Sequence, residues 1–299
     1  QNSDDFLKKV AMVATNHDEA MSDAVIEGFN IVGHGGNFTI LEQPGVDGFE
    51  VEQIEGFPIA RGFEDTCGRF IEQFINDRAN YRTVLEKPKF LIYNGKLNDM
   101  NPLMPILEKV ANASAPKEQG GIGFSENLII VAHHFSENVL ATLANNFVQP
   151  GTIKAIPLKA PITSQANSHY HFLVDLSHFV GAKVFDPLSA PLESATLGHL
   201  GLDSMQSFEY MRYRSTIIGK PDEMLVLARA EELYKQKAVA ESILDAELTA
   251  ERCAVLTGGI AKLKIFGSSE AELKEKKHRV EDAVMAIKGA IKDGVLPGG

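Results

Sequence analysis

The chain has 299 residues, 44% of them hydrophobic, and its 40 acidic against 29 basic side chains give a formal charge of −11. That length supports a sizeable core and leaves room for two domains. The acidic balance, with no basic cluster to release counterions, argues against nucleic acid or an anionic membrane as partner.

No apolar run approaches the length that spans a bilayer, and Gln1-Asn-Ser-Asp-Asp5 lacks a signal-peptide pattern, so the expected compartment is cytoplasmic. Cys67 and Cys253 are too few for a disulfide framework or a zinc set, and two free thiols are expected. The chain starts without methionine and stops on Gly298-Gly299, which fits an excised piece of a longer protein.

Residues 4–15 and 17–33 read as helices, the second opened by Asn16-His-Asp-Glu19 and carrying Met21, Val25, Ile26 and Phe29 at helical spacing. Gly33-His-Gly-Gly-Asn37 follows a helix and precedes the strand Phe38-Thr-Ile-Leu41. This reverses the strand–loop–helix order that aims backbone amides at a phosphate, so the glycines read as a turn.

From about residue 55 to 260 short apolar runs alternate with helical segments. Phe90-Leu-Ile-Tyr93, Leu128-Ile-Ile-Val131, Ile153–Leu158 and Val184-Phe185 are expected strands, and residues 99–112, 136–147 and 163–180 the helices between them. The pattern is that of an α/β, layered βα domain. Ser204–Ile218 adds β-prone residues, and Pro221 opens a long expected helix through about Val255. The helices at 99–112 and 136–147 each carry more apolar residues than one buried stripe requires.

The last helix runs from an N-cap serine, Ser269, to Gly294, with Leu273, Val280, Val284, Ile287 and Ile291 as one apolar stripe. Glu270–Lys274, Glu272–Lys276 and Glu275–Arg279 are acid-before-base pairs at i,i+4. Asp282 lies on the opposite face, with only Ala286 and Gly289 on the next two turns. Periodicity alone makes this a solvated acidic face.

Lys159-Ala-Pro161, Leu192–Gly201, Leu256-Thr-Gly-Gly-Ile-Ala261, Lys274-Glu-Lys-Lys-His-Arg-Val-Glu-Asp-Ala283 and Gly294-Val-Leu-Pro-Gly-Gly299 form a run of collinear motifs that resembles the group I chaperonins, the GroEL-like ring chaperones. Lys274–Ala283 is similar almost letter for letter to that family's EMKEKKARVEDA segment. Leu256-Thr-Gly-Gly-Ile-Ala261 resembles its LAGGVAV hinge, Lys159-Ala-Pro161 its KAPGFG and Leu192–Gly201 its LEKATLEDLG. Gly294-Val-Leu-Pro-Gly-Gly299 resembles the GVVAGG that re-enters the family's nucleotide-binding domain. The glycines after the KAP motif are replaced by Ile162-Thr-Ser-Gln165.

The resemblance implies a GroEL-like apical domain, residues 55–260, inserted into a discontinuous, mainly helical intermediate domain. The halves of the latter are 1–54 and 261–293, and 294–299 would begin the nucleotide-binding domain. It makes Gly56, Gly258, Gly259 and Gly294 hinge positions; as ordinary local structure Gly258 is a helix C-cap and Gly56 a turn.

It also implies a polypeptide-binding surface of Phe63, Phe70, Met104, Leu107, Leu140, Ala144 and Asn145, with Glu64, Asp65 and Arg69 placing charge where the family is apolar. Asp282 becomes the catalytic aspartate that orients water toward a nucleotide held on another domain, and Arg61 and Glu270 become inter-subunit or inter-domain contacts. The implied partners are non-native polypeptides, copies of the parent protein in a homo-oligomeric ring, and a co-chaperonin.

ATP and Mg belong to the parent protein. This chain has no GDGTT-type loop and no G-x-x-x-x-G-K-[ST] motif, so no cofactor is expected on it. His133-His134 and His169-x-His171 are metal-capable, but no cysteine or carboxylate completes a set, and no metal is expected. A passive polypeptide-binding module without an ATP cycle, and a metal-dependent α/β enzyme built on the histidines, stay open as rivals.

Overall fold

Phe49-Glu-Val-Glu52 and Ala261-Lys-Leu-Lys-Ile265 alternate apolar with charged residues, and the period of two makes both of them strands. In the computed structural model, which describes residues 2–33, 37–116, 118, 120–151, 153–163, 167–240 and 242–294, they are β2 (Gly48–Ile54) and β13 (Ile260–Gly267). β13 pairs antiparallel with β2 and parallel with β1 (Asn37–Pro44), giving the order β1-β13-β2. On one face Lys262 meets Glu52 at 2.8 Å and Lys264 meets Glu50 at 3.1 Å, opposite charges in register across the ladder.

The other face of this sheet is covered by α2 (Glu19–Val32) and α10 (Glu270–Asp293), and α1 (Asn2–Ala14) packs on those two helices. Met21, Val25 and Phe29 of α2, Ile40 of β1, Leu263 and Ile265 of β13, and Val280 and Ile287 of α10 form one buried cluster. The α10 stripe reads as expected: Leu273, Val280, Val284 and Ile287 are buried and Ser269 caps the helix, accepting from the Glu272 N–H at 3.3 Å. All three expected i,i+4 ion pairs form, at 2.7, 2.6 and 2.5 Å. The expected mainly helical half-domains thus share a three-stranded sheet, encoded in the alternation of β2 and β13.

These elements constitute one compact unit, Gln1–Glu55 with Cys253–Gly299; the other is Gly56–Arg252. The core of the second is a parallel sheet ordered β10-β5-β7-β9, built from β5 (Lys89–Tyr93), β7 (Asn127–Ala132), β9 (Lys154–Lys159) and β10 (Val184–Phe185). Phe90, Leu91 and Ile92 of β5 and Leu128–Ala132 of β7 are wholly buried, as strands covered on both faces require. Between the strands run α5 (Met104–Ser114), α6 (Glu137–Val148) and α7 (Ser168–Val180).

A second, antiparallel sheet ordered β3-β12-β11-β4 comprises β3 (Gly56–Ile59), β4 (Thr83–Glu86), β11 (Met205–Tyr210) and β12 (Ser215–Gly219). The last two resolve the β-prone stretch into a hairpin.

Two expected helices are corrected. The long helix from Pro221 is two helices, α8 (Glu223–Ala238) and α9 (Ile243–Thr257). The Ser242 hydroxyl accepts from the Asp245 N–H at 3.0 Å and donates to its carboxylate at 2.7 Å, a cap that begins a new helix without glycine or proline to announce it. The helix expected from residue 99 starts at Met104, because Pro105 is tolerated only in a first turn.

His34–Gly36 of the glycine turn, Ser164 and Gln165 after the Lys159-Ala-Pro161 motif, and the closing segment 295–299 lie outside the described residues. Among the described residues no helix is long and apolar enough to cross a membrane.

Candidate polypeptide-binding surface and exposed aspartate

Two short parallel strands, β6 (Lys96–Leu97) and β8 (His134–Phe135), pair immediately ahead of α5 and α6. The pairing brings together the segments that feed the two helices. Ser136 ties the junction: its N–H donates to Leu97 O at 2.9 Å, its hydroxyl to Asn98 O at 2.7 Å, and the same oxygen accepts from the Val139 N–H as the α6 cap.

Both helices spend most of their apolar residues inward. α6 buries Val139, Leu140, Leu143, Ala144 and Phe147, and α5 buries Ile106, Leu107, Val110 and Ala113. Leu107 (8% exposed), Leu140 (7%) and Ala144 (0%) therefore line the core, while Met104 (44%) and Asn145 face solvent. Glu108 on α5 and Glu137, Asn138 and Thr142 on α6 are exposed beside them, with Val148 as a further exposed apolar residue. The apolar surplus read from the sequence is largely consumed by packing.

Between β3 and β4 the chain forms α3 (Phe63–Thr66), a 3-10 turn at Gly68–Phe70 and α4 (Ile71–Phe74). Phe63 is fully buried, edge-on to Tyr210 at 5.8 Å and to Tyr81 at 5.5 Å. Phe70 is half-buried under the Arg69 guanidinium, 5.1 Å from its ring centroid. Phe74 packs on Phe147 of α6 with centroids 5.5 Å apart.

Every charge that departs from the apolar pattern here has found a partner: Glu64 with Arg212 at 3.1 Å, Asp65 with Arg61 at 2.9 Å, and Arg69 with Glu137 at 2.8 Å. The Arg61 pair closes within this unit. Beneath them Cys67 lies 3.5 Å from the Tyr210 hydroxyl, which itself donates to Pro157 O at 2.8 Å; burial pushes the Cys67 thiol up to about 12. Two clefts in this unit, of about 760 and 620 Å³, contain none of the predicted site residues in their linings.

In the other unit Asp282 is exposed on α10 beside Met285, 69% exposed, and Ala286. A Cβ placed on Gly289 would meet nothing within 4 Å, so this flank is open. Glu270 pairs with Lys274, whose ammonium holds the Glu270 carboxyl below its usual range.

Gly258 caps α9 through its N–H to Ala254 O at 2.8 Å, and Gly259 follows at φ +68°, where a Cβ would come within 2.9 Å of Ile54 O. Gly294 caps α10 at φ +74°. Gly56 is the first residue of β3 and buried.

Two constellations bring together residues that the sequence did not pair. Asp175 of α7, 4% exposed, is bonded by Arg229 of α8 and Arg252 of α9. A lone carboxylate in the apolar run Phe172-Leu-Val-Asp-Leu176 was the available signal, since a buried charge demands a partner. The other is the His133 ring stacked on His169 at 4.6 Å. Among the described residues no three His, Cys, Asp or Glu side chains group as metal ligands.

No protein-family model matches the chain. Over 298 residues, 99% of its length, it is 31% identical to "Chaperonin GroEL" of Wolbachia pipientis wMel. The match covers 50% of that protein, so the chain spans half the length of the curated relative.

Proposed function

Because this chain is a GroEL-like group I chaperonin sequence over 99% of its length, we propose that it holds non-native polypeptides and couples that holding to a nucleotide cycle run elsewhere in the parent protein. We assign the apical, polypeptide-binding domain to the unit Gly56–Arg252 and the intermediate domain to the other unit up to residue 293, with 294–299 opening the nucleotide-binding domain. The parent is an ATP-driven, homo-oligomeric ring of the cytoplasm, with a co-chaperonin as a further partner. The observation that carries this reading is the extent of the likeness, which covers 99% of the chain and therefore reaches both units.

Polypeptide lies against Met104 of α5, Asn145 and Val148 of α6, and Phe70, with Phe63, Leu107, Leu140 and Ala144 shaping that surface from beneath. An unbranched, polarisable Met104 side chain fits many partners. The Arg69–Glu137 and Glu64–Arg212 pairs form its rim and hold less strongly as salt rises.

The exposed Asp282 carboxylate, with small residues on its flank, suits a group that accepts a hydrogen bond from water beside a phosphate on another domain. ATP with Mg supplies the transferable phosphoryl group when bound to the parent, and no residue here is assigned to hold it. Gly56, Gly258, Gly259 and Gly294 are the proposed joints. Arg61 and Glu270 are the proposed contacts to neighbouring subunits or domains, which requires them to exchange Asp65 and Lys274 for outside partners.

The test is capture of a chemically denatured protein by this chain beside calorimetric titration with Mg-ATP. Capture without ATP binding is the expected result; tight ATP binding overturns the domain assignment. In the parent protein, Asp282→Ala should leave nucleotide affinity unchanged and slow hydrolysis about 100-fold or more. Unchanged turnover removes Asp282 from the mechanism.

A further inference from the structure

His133 is the single residue between β7 and β8. Its N–H donates to Gly95 O at 3.0 Å, and its ring lies on that of His169 in α7, centroids 4.6 Å apart and planes 27° from parallel. Nε2 of His133 is buried and has no hydrogen-bond partner among the described residues. Among the described residues the charged groups that act on the pair are cations: Lys96 of β6 toward His133, and Arg61, which follows β3, toward His169. Asp65 is engaged by that same Arg61, whose Nε is itself buried with no partner among the described residues.

A neutral imidazole stack is stable in such a place and a protonated one is not. A proton on either ring would put a cation against its neighbour, in a site that already desolvates Nε2 and is flanked by Lys96 and Arg61. We propose that the His133–His169 stack is an acid-sensitive latch on the segment that feeds α6, closed when both rings are neutral and opened when one is protonated.

The direction follows from the surroundings. Burial, then the neighbouring His169 and Lys96, lower His133 below the ordinary value of 6.5; burial, then Arg61, lower His169. The folded arrangement therefore binds fewer protons than the unfolded chain. Its stability is full above 6.5 and falls as pH drops through that value toward the lowered ones.

Backbone bonds pass the opening on. His133 is tied to Gly95, His134–Phe135 to Lys96–Leu97, and Ser136 to Leu97 and Asn98 while capping α6. Acid should free this junction and the first turn of α6. The consequence for polypeptide capture rests on the function proposed above; the loosening itself does not.

Hydrogen exchange over residues 133–140, corrected for intrinsic rates, tests the latch in the whole chain at about pH 7.5 and about pH 5.5. Exchange should accelerate about tenfold at the lower pH in the native sequence and stay flat in His133→Phe/His169→Phe, which keeps an aromatic pair without a titrating nitrogen. An equal response in both chains overturns the proposal. If the double variant fails to fold, NMR titration of the native rings decides: midpoints below 6.5 support the latch and midpoints at or above it sink it. Capture of denatured protein that fails at both pH values, with exchange still responsive, counts against the functional reading and leaves the latch standing.

Discussion

Arg252 grips both oxygens of Asp175, Nε to Oδ2 at 2.7 Å and Nη2 to Oδ1 at 3.0 Å. Arg229 adds a third bond, Nε to Oδ1 at 2.8 Å, and extends the network through Nη1 to Glu232 at 2.6 Å. One buried carboxylate thus fastens α7, α8 and α9 together.

Asp175→Ala strands the Arg252 guanidinium and leaves that of Arg229, 5% exposed, with Glu232 alone, and should cost about 3–5 kcal/mol, because removing one member of a buried network leaves charge uncompensated. Urea unfolding reads this directly. A midpoint within error of the native chain would show that the network contributes nothing net.

Gly28 and Gly289 both lie inside helices, where alanine ordinarily gains about 1 kcal/mol. A Cβ at Gly28 would come within 2.3 Å of the Phe38 ring, which packs on Phe29 at 4.7 Å, whereas one at Gly289 meets open space. Overpacking of about 1–3 kcal/mol should make Gly28→Ala destabilising, while Gly289→Ala stabilises. Thermal unfolding of the two variants should move in opposite directions; movement in the same direction contradicts the packing argument.

Leu107 and Leu140 are buried, so glutamate at either site unfolds the domain before it tests binding. Met104→Glu is the informative change. It should leave the unfolding free energy within about 0.5 kcal/mol of the native chain and weaken capture of a denatured protein severalfold. Unaltered capture moves the binding surface away from α5.

Glu272 accepts from Lys276 at 2.6 Å and from the N–H and hydroxyl of Ser268 at 3.0 and 2.8 Å. These bonds, led by that of Lys276, lower its carboxyl from 4.5 to about 2. The folded value lies below the unfolded one, so its stabilisation is present above 4.5 and is lost as pH falls toward about 2. Carboxyl-carbon NMR should find Glu272 titrating well below its exposed neighbours, and Lys276→Ala should raise it. A native midpoint near 4.5 removes the contribution.

Adjacent residues are enough to decide several of the elements. Ser269, the stripe from Leu273 to Ile287 and the three i,i+4 pairs set α10, and apolar runs bounded by helical segments set β5, β7 and β9. The alternation that makes β2 and β13 was also present. Tertiary structure alone decided which apolar residues remain for a partner. Helix periodicity places Leu140 and Ala144 on one face, but the sheet beneath determines that this face is spent inward, leaving Asn145 and Val148 outside. The same holds for Asp175, which meets Arg229 and Arg252 across 54 and 77 positions of sequence, and for the stack of His133 on His169. Local spacing carries no information about such pairs, because their geometry exists only after the strands and helices have packed.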